Sequence, residues 1–266
     1  MFRMLLIWAA LALPAWCSTR VLVTVVEQKT GKPVADLKAA DFQVKDGGAA
    51  RRVEAAEFTA GPVDVMLLLD TSLVGDVVQP FALNLIDQLQ DKEQMAVVAF
   101  ASSADLIQDF TGSREVLRRA AASVRYGNTP LVLDALYAAI DGGFEHSSLR
   151  RALILLTAGM EGNSRSSETD VLRLARRNGV SIYPVYAAGM ERSMFERLAR
   201  QTGGASFNLP ELRRALQQNA GARIFEAVRS HYTLTLEGNL RLSERLEVEV
   251  AGRGKVKLTV SALPLE

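Results

Sequence analysis

Apolar and polar positions follow three different patterns along this chain, and the changes between them mark its organisation. Residues 21–27 (VLVTVVE) are rich in β-branched side chains and read as a strand. The stretch 28–34 (QKTGKPV) reads as a turn, 41–48 (DFQVKDGG) as a strand ending in a hairpin signal, and 51–58 (RRVEAAEF) as a third strand. After Gly61-Pro62 the pattern changes. Residues 63–70 (VDVMLLLD) are almost continuously apolar, as expected of a strand covered on both faces. Similar runs occur at 95–101 (MAVVAFA), 152–159 (ALILLTAG) and 180–189 (VSIYPVYAAG), with a shorter strand at 204–209. Residues 104–110 (ADLIQDF) alternate like an edge strand. Helical spacing fills the intervals at 77–91, 113–124, 131–143, 168–178, 191–202 and 211–229. From 231 onward the pattern is strict alternation at 231–237 (HYTLTLE), 245–250 (RLEVEV) and 255–260 (KVKLTV), which reads as half-buried antiparallel strands.

Strands alternating with helices predict an α/β fold, a doubly wound and mostly parallel sheet with helices on both faces. Three amphipathic strands precede that block and three follow it. Neither trio has enough residues to fold well alone, since chains below ~40 residues usually need a metal or disulfides. One small β-sandwich built from both ends, with the α/β domain inserted between them, buries both apolar faces. The expected boundaries are 1–17, 18–60, 63–229 and 230–266. The competing arrangement packs each trio separately on the α/β domain.

The first 17 residues read as a signal peptide. Arg3 is followed by MLLIWAALALPAW, too short for the about 20 residues a bilayer span needs, and Ala15-Trp16-Cys17 fits a small-x-small cleavage site. Cleavage there removes the single cysteine, so the mature chain holds no disulfide. Export, periplasmic or extracellular, is the expectation, with no membrane span after cleavage. Formal charge is +1, and removing Arg3 from the 31 basic residues leaves 30 against 30 acidic ones. No basic field exists to gather nucleic acid.

Parallel sheets place ligands beyond the carboxyl ends of their strands. Asp70, Thr71 and Ser72 follow the first buried strand, Thr129 sits in the loop YGNTPL (126–131), and Thr157-Ala158-Gly159 ends the third buried strand. One reading is local capping: Asp70-Thr71-Ser72 capping the next helix, and Thr129 capping the helix after Pro130. The other is a functional site.

The arrangement resembles the von Willebrand factor type A domain over about residues 63–210. In that family the first strand ends in Asp-x-Ser-x-Ser, a Thr comes from a later loop, and an Asp follows a later strand. Together they form a metal-ion-dependent adhesion site, usually for Mg²⁺, with open positions for a partner's carboxylate. The opening VTVVEQKTGKPVADLKAADFQVKDGG looks like that of a bacterial exported family related to these domains. Asp70, Ser72 and Thr129 match the metal-site pattern, whereas Val74 replaces its second Ser and Ala158 its later Asp. The resemblance therefore implies a degenerate site for Mg²⁺ or Mn²⁺, with Asp76 or Glu161 as possible replacements. It also implies a non-enzymatic adhesion module with a protein partner.

The alternative is a structural component of a cell-surface or periplasmic assembly that does not use the strand-end cleft. An enzyme is the third reading. Position 72 is Ser where an Asp-x-Asp phosphotransfer motif needs Asp, and neither a phosphate-binding glycine loop nor a Gly-x-Ser-x-Gly elbow occurs. Of the two histidines, His146 reads as a surface residue and His231 as a strand-rim residue.

Overall fold

The computed structural model describes residues 18–216, 220–239, 246–250 and 257–265. Residues 1–17, where a signal peptide is expected, and part of the strand expected at 255–260 lie outside the described residues. The order of elements is β1 (Ser18–Glu27), β2 (Phe42–Asp46), β3 (Ala49–Arg51), β4 (Val53–Ala60), β5 (Val63–Asp70), α1 (Gln79–Ile86), β6 (Gln94–Phe100) and β7 (Ala104–Thr111). Then come α2 (Arg114–Ala122), α3 (Val132–Gly142), β8 (Arg150–Thr157), α4 (Glu168–Arg177), β9 (Val180–Tyr186), α5 (Arg192–Gln201) and β10 (Phe207–Asn208). The chain closes with α6 (Leu209–Leu216), α7 (Ala220–Arg229), β11 (Ser230–Glu237), β12 (Leu246–Val250) and β13 (Leu258–Leu265).

The central sheet runs β10-β9-β8-β5-β6-β7, parallel except for β7, which pairs antiparallel with β6 at one edge. All eight residues of β5 are buried because its side chains feed two cores. Val65, Leu67 and Leu69 meet α1, α2 and α7 through Phe81, Leu117 and Ile224. Met66 and Leu68 meet α3, α4 and α5 through Leu136, Val171 and Phe195. The α/β class read from the chain is the observed one. Helix α4 starts at a reciprocal cap, in which the Ser167 hydroxyl accepts from Asp170 N–H and Asp170 accepts from Ser167 N–H.

Two antiparallel sheets complete the fold, β13-β1-β11-β4 and β12-β2-β3. Strands from both ends interleave in them. β1 lies between β11 and β13, and β12 pairs with β2. Their shared core holds Val21, Val23, Phe42, Val44, Tyr232 and Leu234. Buried Tyr232 donates its hydroxyl proton to Val34 C=O at 2.9 Å and accepts from Leu37 N–H at 2.9 Å, which ties the connecting loop to this core. The other face of β1 docks on the α/β block: Thr24 Oγ1 donates to Gly203 C=O at 2.7 Å, and Val26 joins the α1-side core. At the opposite seam Arg229 clamps Glu93 with two bonds of 2.7 and 2.6 Å, and the Glu93 side chain is fully buried.

Several boundaries differ from the sequence reading. The expected strand 51–58 is two strands in two sheets, β3 beside β2 and β4 beside β11. Arg52 separates them, and its C=O accepts from Glu237 N–H at 3.1 Å. The helix expected over 77–91 shrinks to α1, and the strand at 204–209 to two residues. β13 extends to Leu265, beyond the alternating stretch, because β1 supplies a pairing edge along its whole length. His231 stands at the opening of β11, as expected. It is half-buried next to the Arg150 guanidinium, and burial first, then that cation, lowers its pKa to about 4.

Candidate functional site

Asp70 ends β5 at the carboxyl edge of the sheet and is completely buried. Its Oδ1 accepts from Ser72 N–H at 2.9 Å. Its Oδ2 accepts from the Thr157 hydroxyl at 2.8 Å and from Ala158 N–H at 3.0 Å. Both donors to Oδ2 come from the end of β8, the strand that pairs with β5. The carboxylate therefore staples two adjacent strand ends. Thr71 turns the other way, donating both its N–H (2.7 Å) and its hydroxyl (3.0 Å) to Phe100 C=O at the end of β6. Gly75 brings the following loop back over Asp70. A Cβ there would lie 2.2 Å from Asp70 O and 2.8 Å from Asp70 Oδ1, so no side chain fits.

The loop carrying Thr129 lies across this turn. Gly127 N–H donates to Thr71 C=O at 2.9 Å, and Leu73 N–H donates to Asn128 C=O at 3.2 Å. The structure thus brings Asp70, Ser72 and the Thr129 loop together, with Thr129 itself exposed. Gly162 lets the loop after β8 approach the same place, since a Cβ there would sit 2.3 Å from Thr129 Cγ2. Ala158 is buried and Val74 is exposed, and neither side chain offers an oxygen. Ser72 Oγ is buried without a hydrogen-bond partner.

Neither capping reading holds. Helix α1 begins only at Gln79, after Val78, with no side-chain cap. Helix α3 begins after Leu131, again without a side-chain cap of its own. Its free N–H groups are met from a distance: Glu161 Oε2 accepts from Val132 N–H (2.9 Å) and Leu133 N–H (3.2 Å). The other oxygen of Glu161 accepts from Ser164 N–H at 2.6 Å. Glu161 is therefore committed to α3. Asp76 is exposed on the loop before α1. Among the described residues, no three His, Cys, Asp or Glu side chains are grouped so that they can hold a metal ion. Of the pattern's own oxygens, those left for a cation are Ser72 Oγ, Thr129 Oγ1 and Asp70 Oδ1, which accepts one hydrogen bond.

Two site residues carry no local sequence signal. Thr157 looks like the last residue of a buried strand, yet its hydroxyl fixes Asp70. Tyr126 stands close enough to Asp76 and Asp70 that its phenol is pushed up to about 12, by burial first and then by those two carboxylates. In the first turn of α3, burial pulls Asp134 upward, but N–H groups of Arg165 and Ser166 outweigh it and hold the carboxyl below its ordinary range. His146 is exposed in the turn after α3, 3.4 Å from Asp109, and His231 stands at the opposite seam. Neither is placed to act on Asp70.

Around this edge several apolar side chains are exposed. Leu73 is 76% exposed and Met190 71%, and Val74, Val77, Tyr126 and Met160 are exposed in the same set of strand-end loops. No helix among the described residues is long and apolar enough to cross a membrane.

No curated protein matches the chain. Among solved structures, the proximal thread matrix protein 1 of the mussel byssus, with a zinc-occupied MIDAS motif, superposes with a TM-score of 0.55 at 18% identity. That superposition covers 69% of this chain and 50% of that one, so the chain spans about half the length of the mussel protein. A variant of the PilB minor pilin from Streptococcus sanguinis superposes with a TM-score of 0.50 at 14% identity, over 63% of this chain and 61% of that one. At such identities the likeness is one of fold. The family model of the von Willebrand factor type A domain matches residues 64–220, more than half of the chain and, save for Val63, the block from β5 through α6, and the chain belongs to that family.

Proposed function

We propose that this chain is an exported, non-enzymatic adhesion module that seats a protein partner on the carboxyl edge of its central sheet through apolar contact. Domains of this family commonly mediate protein–protein interaction. The observation that carries the reading is the coincidence of two features at one edge. The positions where the family places oxygen ligands hold Val74 and Ala158, and the surrounding loops expose Leu73, Val77, Met160 and Met190. Exposed apolar patches of this kind mark interaction sites. In the same reading the metal site is degenerate. Asp70 is occupied by three hydrogen bonds, is out of solvent contact and is the sole remaining carboxylate of the pattern. Mg²⁺, which gives up its waters reluctantly, finds no second carboxylate at the positions of the family's pattern.

The test uses partner proteins captured from the exported fraction of the native host and then purified. Leu73→Asp with Val77→Asp should abolish binding of such a partner, and chelator should leave it unchanged. Binding that survives the double substitution, or that chelator removes, refutes the reading. N-terminal sequencing of the exported protein should return Ser18, and an intact Met1 on protein from the cytoplasm would sink export.

A second reading has its own observation. The outer edge strand β7 exposes Leu106 and Ile107, as a strand does when it pairs with another chain in an assembly. Leu106→Lys should disrupt association under that reading and leave it intact under the first.

A further inference from the structure

Sulfur is unevenly placed in this chain. Of the seven methionines, Met1 and Met4 lie outside the described residues. Met66 and Met95 sit in the central sheet and are completely buried, and Met194 of α5 is nearly so. Met160 and Met190 alone among the described methionines are exposed, and both belong to strand-end loops of the carboxyl edge. Position decides this: Met194 lies in the helix that follows Met190, yet it packs with Phe195 and Leu198 in the core.

Hydrogen bonds knit the two loops to each other and to Leu73. Met160 follows β8 and Met190 follows β9, which are adjacent parallel strands. Ala187 N–H donates to Thr157 C=O at 3.2 Å and Ala188 N–H to Ala158 C=O at 2.8 Å, so the loops leave the sheet side by side. Gly162 N–H donates to Pro130 C=O at 2.8 Å, and the same 126–131 loop carries Asn128, whose C=O accepts from Leu73 N–H. Met160, Met190 and Leu73 therefore belong to one connected edge across the ends of β9, β8 and β5. A thioether there gives apolar, adaptable contact, whereas a sulfoxide presents a polar S=O that a partner's apolar face leaves unsatisfied. We infer that Met160 and Met190 form a reversible oxidation switch, in which hydrogen peroxide converts both to sulfoxides and so closes the edge to its partner. The sulfur lone pair attacks one peroxide oxygen, and the S–O bond forms as the O–O bond breaks. The departing hydroxide takes the proton of the transferred hydroxyl and leaves as water; sulfur is oxidised and peroxide reduced. What the switch controls rests on the adhesion reading, whereas which sulfurs react does not.

The experiment treats the folded chain with limiting hydrogen peroxide and maps oxygen uptake by peptide mass spectrometry. Met160 and Met190 should each gain one oxygen atom, while Met66, Met95 and Met194 stay unmodified and near-UV circular dichroism is unchanged. Apolar surface is then read with the dye anilinonaphthalene sulfonate, and adhesion with the purified partner. Oxidation should weaken binding of both by about tenfold, and reductases for the two sulfoxide epimers should restore it. Met160→Leu with Met190→Leu keeps the apolar volume, so this variant should bind both probes like the unmodified chain and ignore peroxide. Equal oxidation of the buried methionines, no dye bound by the unmodified chain, an oxidised chain that binds as before, or an equal loss in the leucine variant overturns the inference. If Leu73→Asp with Val77→Asp leaves the partner bound, the adhesion reading fails instead, and the mass map and the dye still decide the switch.

Discussion

Replacing Val74 with Ser and Ala158 with Asp restores the two oxygen-bearing side chains that the family's metal site has and this chain lacks. The structure fixes what that should do without a cation. Ala158 N–H already lies 3.0 Å from Asp70 Oδ2, so a carboxylate at 158 would stand beside the buried Asp70 charge. Two like charges ~5–6 Å apart at an effective dielectric of ~20 repel by about 3 kcal/mol. For a chain of this size, that lowers the melting temperature by roughly 5–10 °C. A divalent cation should then reverse the loss, since ligand at a hundred times Kd stabilises by about 2.7 kcal/mol. The unmodified protein should show neither effect. The assay is thermal unfolding of both proteins in chelator and in excess Mg²⁺ or Mn²⁺. A clear cation-dependent rise in the unmodified protein, lost in Asp70→Ala, would refute the argument. So would a double variant that is neither destabilised in chelator nor rescued by the metal.

Three other outcomes are expected. Arg229→Ala strips the only ion-pair partner found for the fully buried Glu93 among the described residues and should cost about 3–5 kcal/mol in urea unfolding, whereas an effect below about 1 kcal/mol would mean water reaches Glu93. His231 binds its proton less readily folded (about 4) than unfolded (6.5), so the unfolded state takes up more protons as pH falls from 6.5 toward 4; stability should drop across that window by up to about 2–3 kcal/mol, and His231→Gln should remove that part of the slope. Deleting residues 231–266 removes both strands flanking β1 and should make 18–60 sensitive to protease, and full protection of that segment would show that it folds without them.

The architecture is legible in the sequence because it rests on burial, which hydrophobic pattern records directly. VDVMLLLD is apolar throughout because both of its faces are covered, and HYTLTLE alternates because one of its faces meets the sandwich core. Strand partition is less legible. RRVEAAEF reads as one strand, and only its neighbours decide that Arg51 pairs with Val44 while Val53 pairs with Leu236. The site is legible in identity and illegible in bonding. Asp70, Ser72 and Thr129 are brought to one place, but their local context suggested caps on the helices that follow. The actual partners are distant: Thr157 for Asp70, 87 positions away, and Glu161 for the start of α3, 28 and 29 positions away. Hydrogen bonds across such separations leave no periodic trace.

The position of β1 has a consequence for how the chain reaches this fold. β1 is the first described strand, yet its hydrogen bonds go to β11 and β13, so that Ser18 pairs with Glu237 and Arg20 with Leu265. During synthesis from the N-terminus, the earliest strand has no partner until nearly the whole chain has emerged. The α/β block from β5 to α7 assembles from neighbours close in sequence and can be complete well before that. Closing so long a loop costs little extra free energy, since the cost grows only with the logarithm of length, but contacts of such separation form slowly. Through that interval the six residues from Val21 to Val26, all buried in the finished fold, stand as an open, apolar, β-branched edge. The last step of folding is therefore the burial of the first strand. Until it happens, the molecule combines a finished interaction domain with a segment prone to pair with any other open strand, including the same strand of a second unfinished copy.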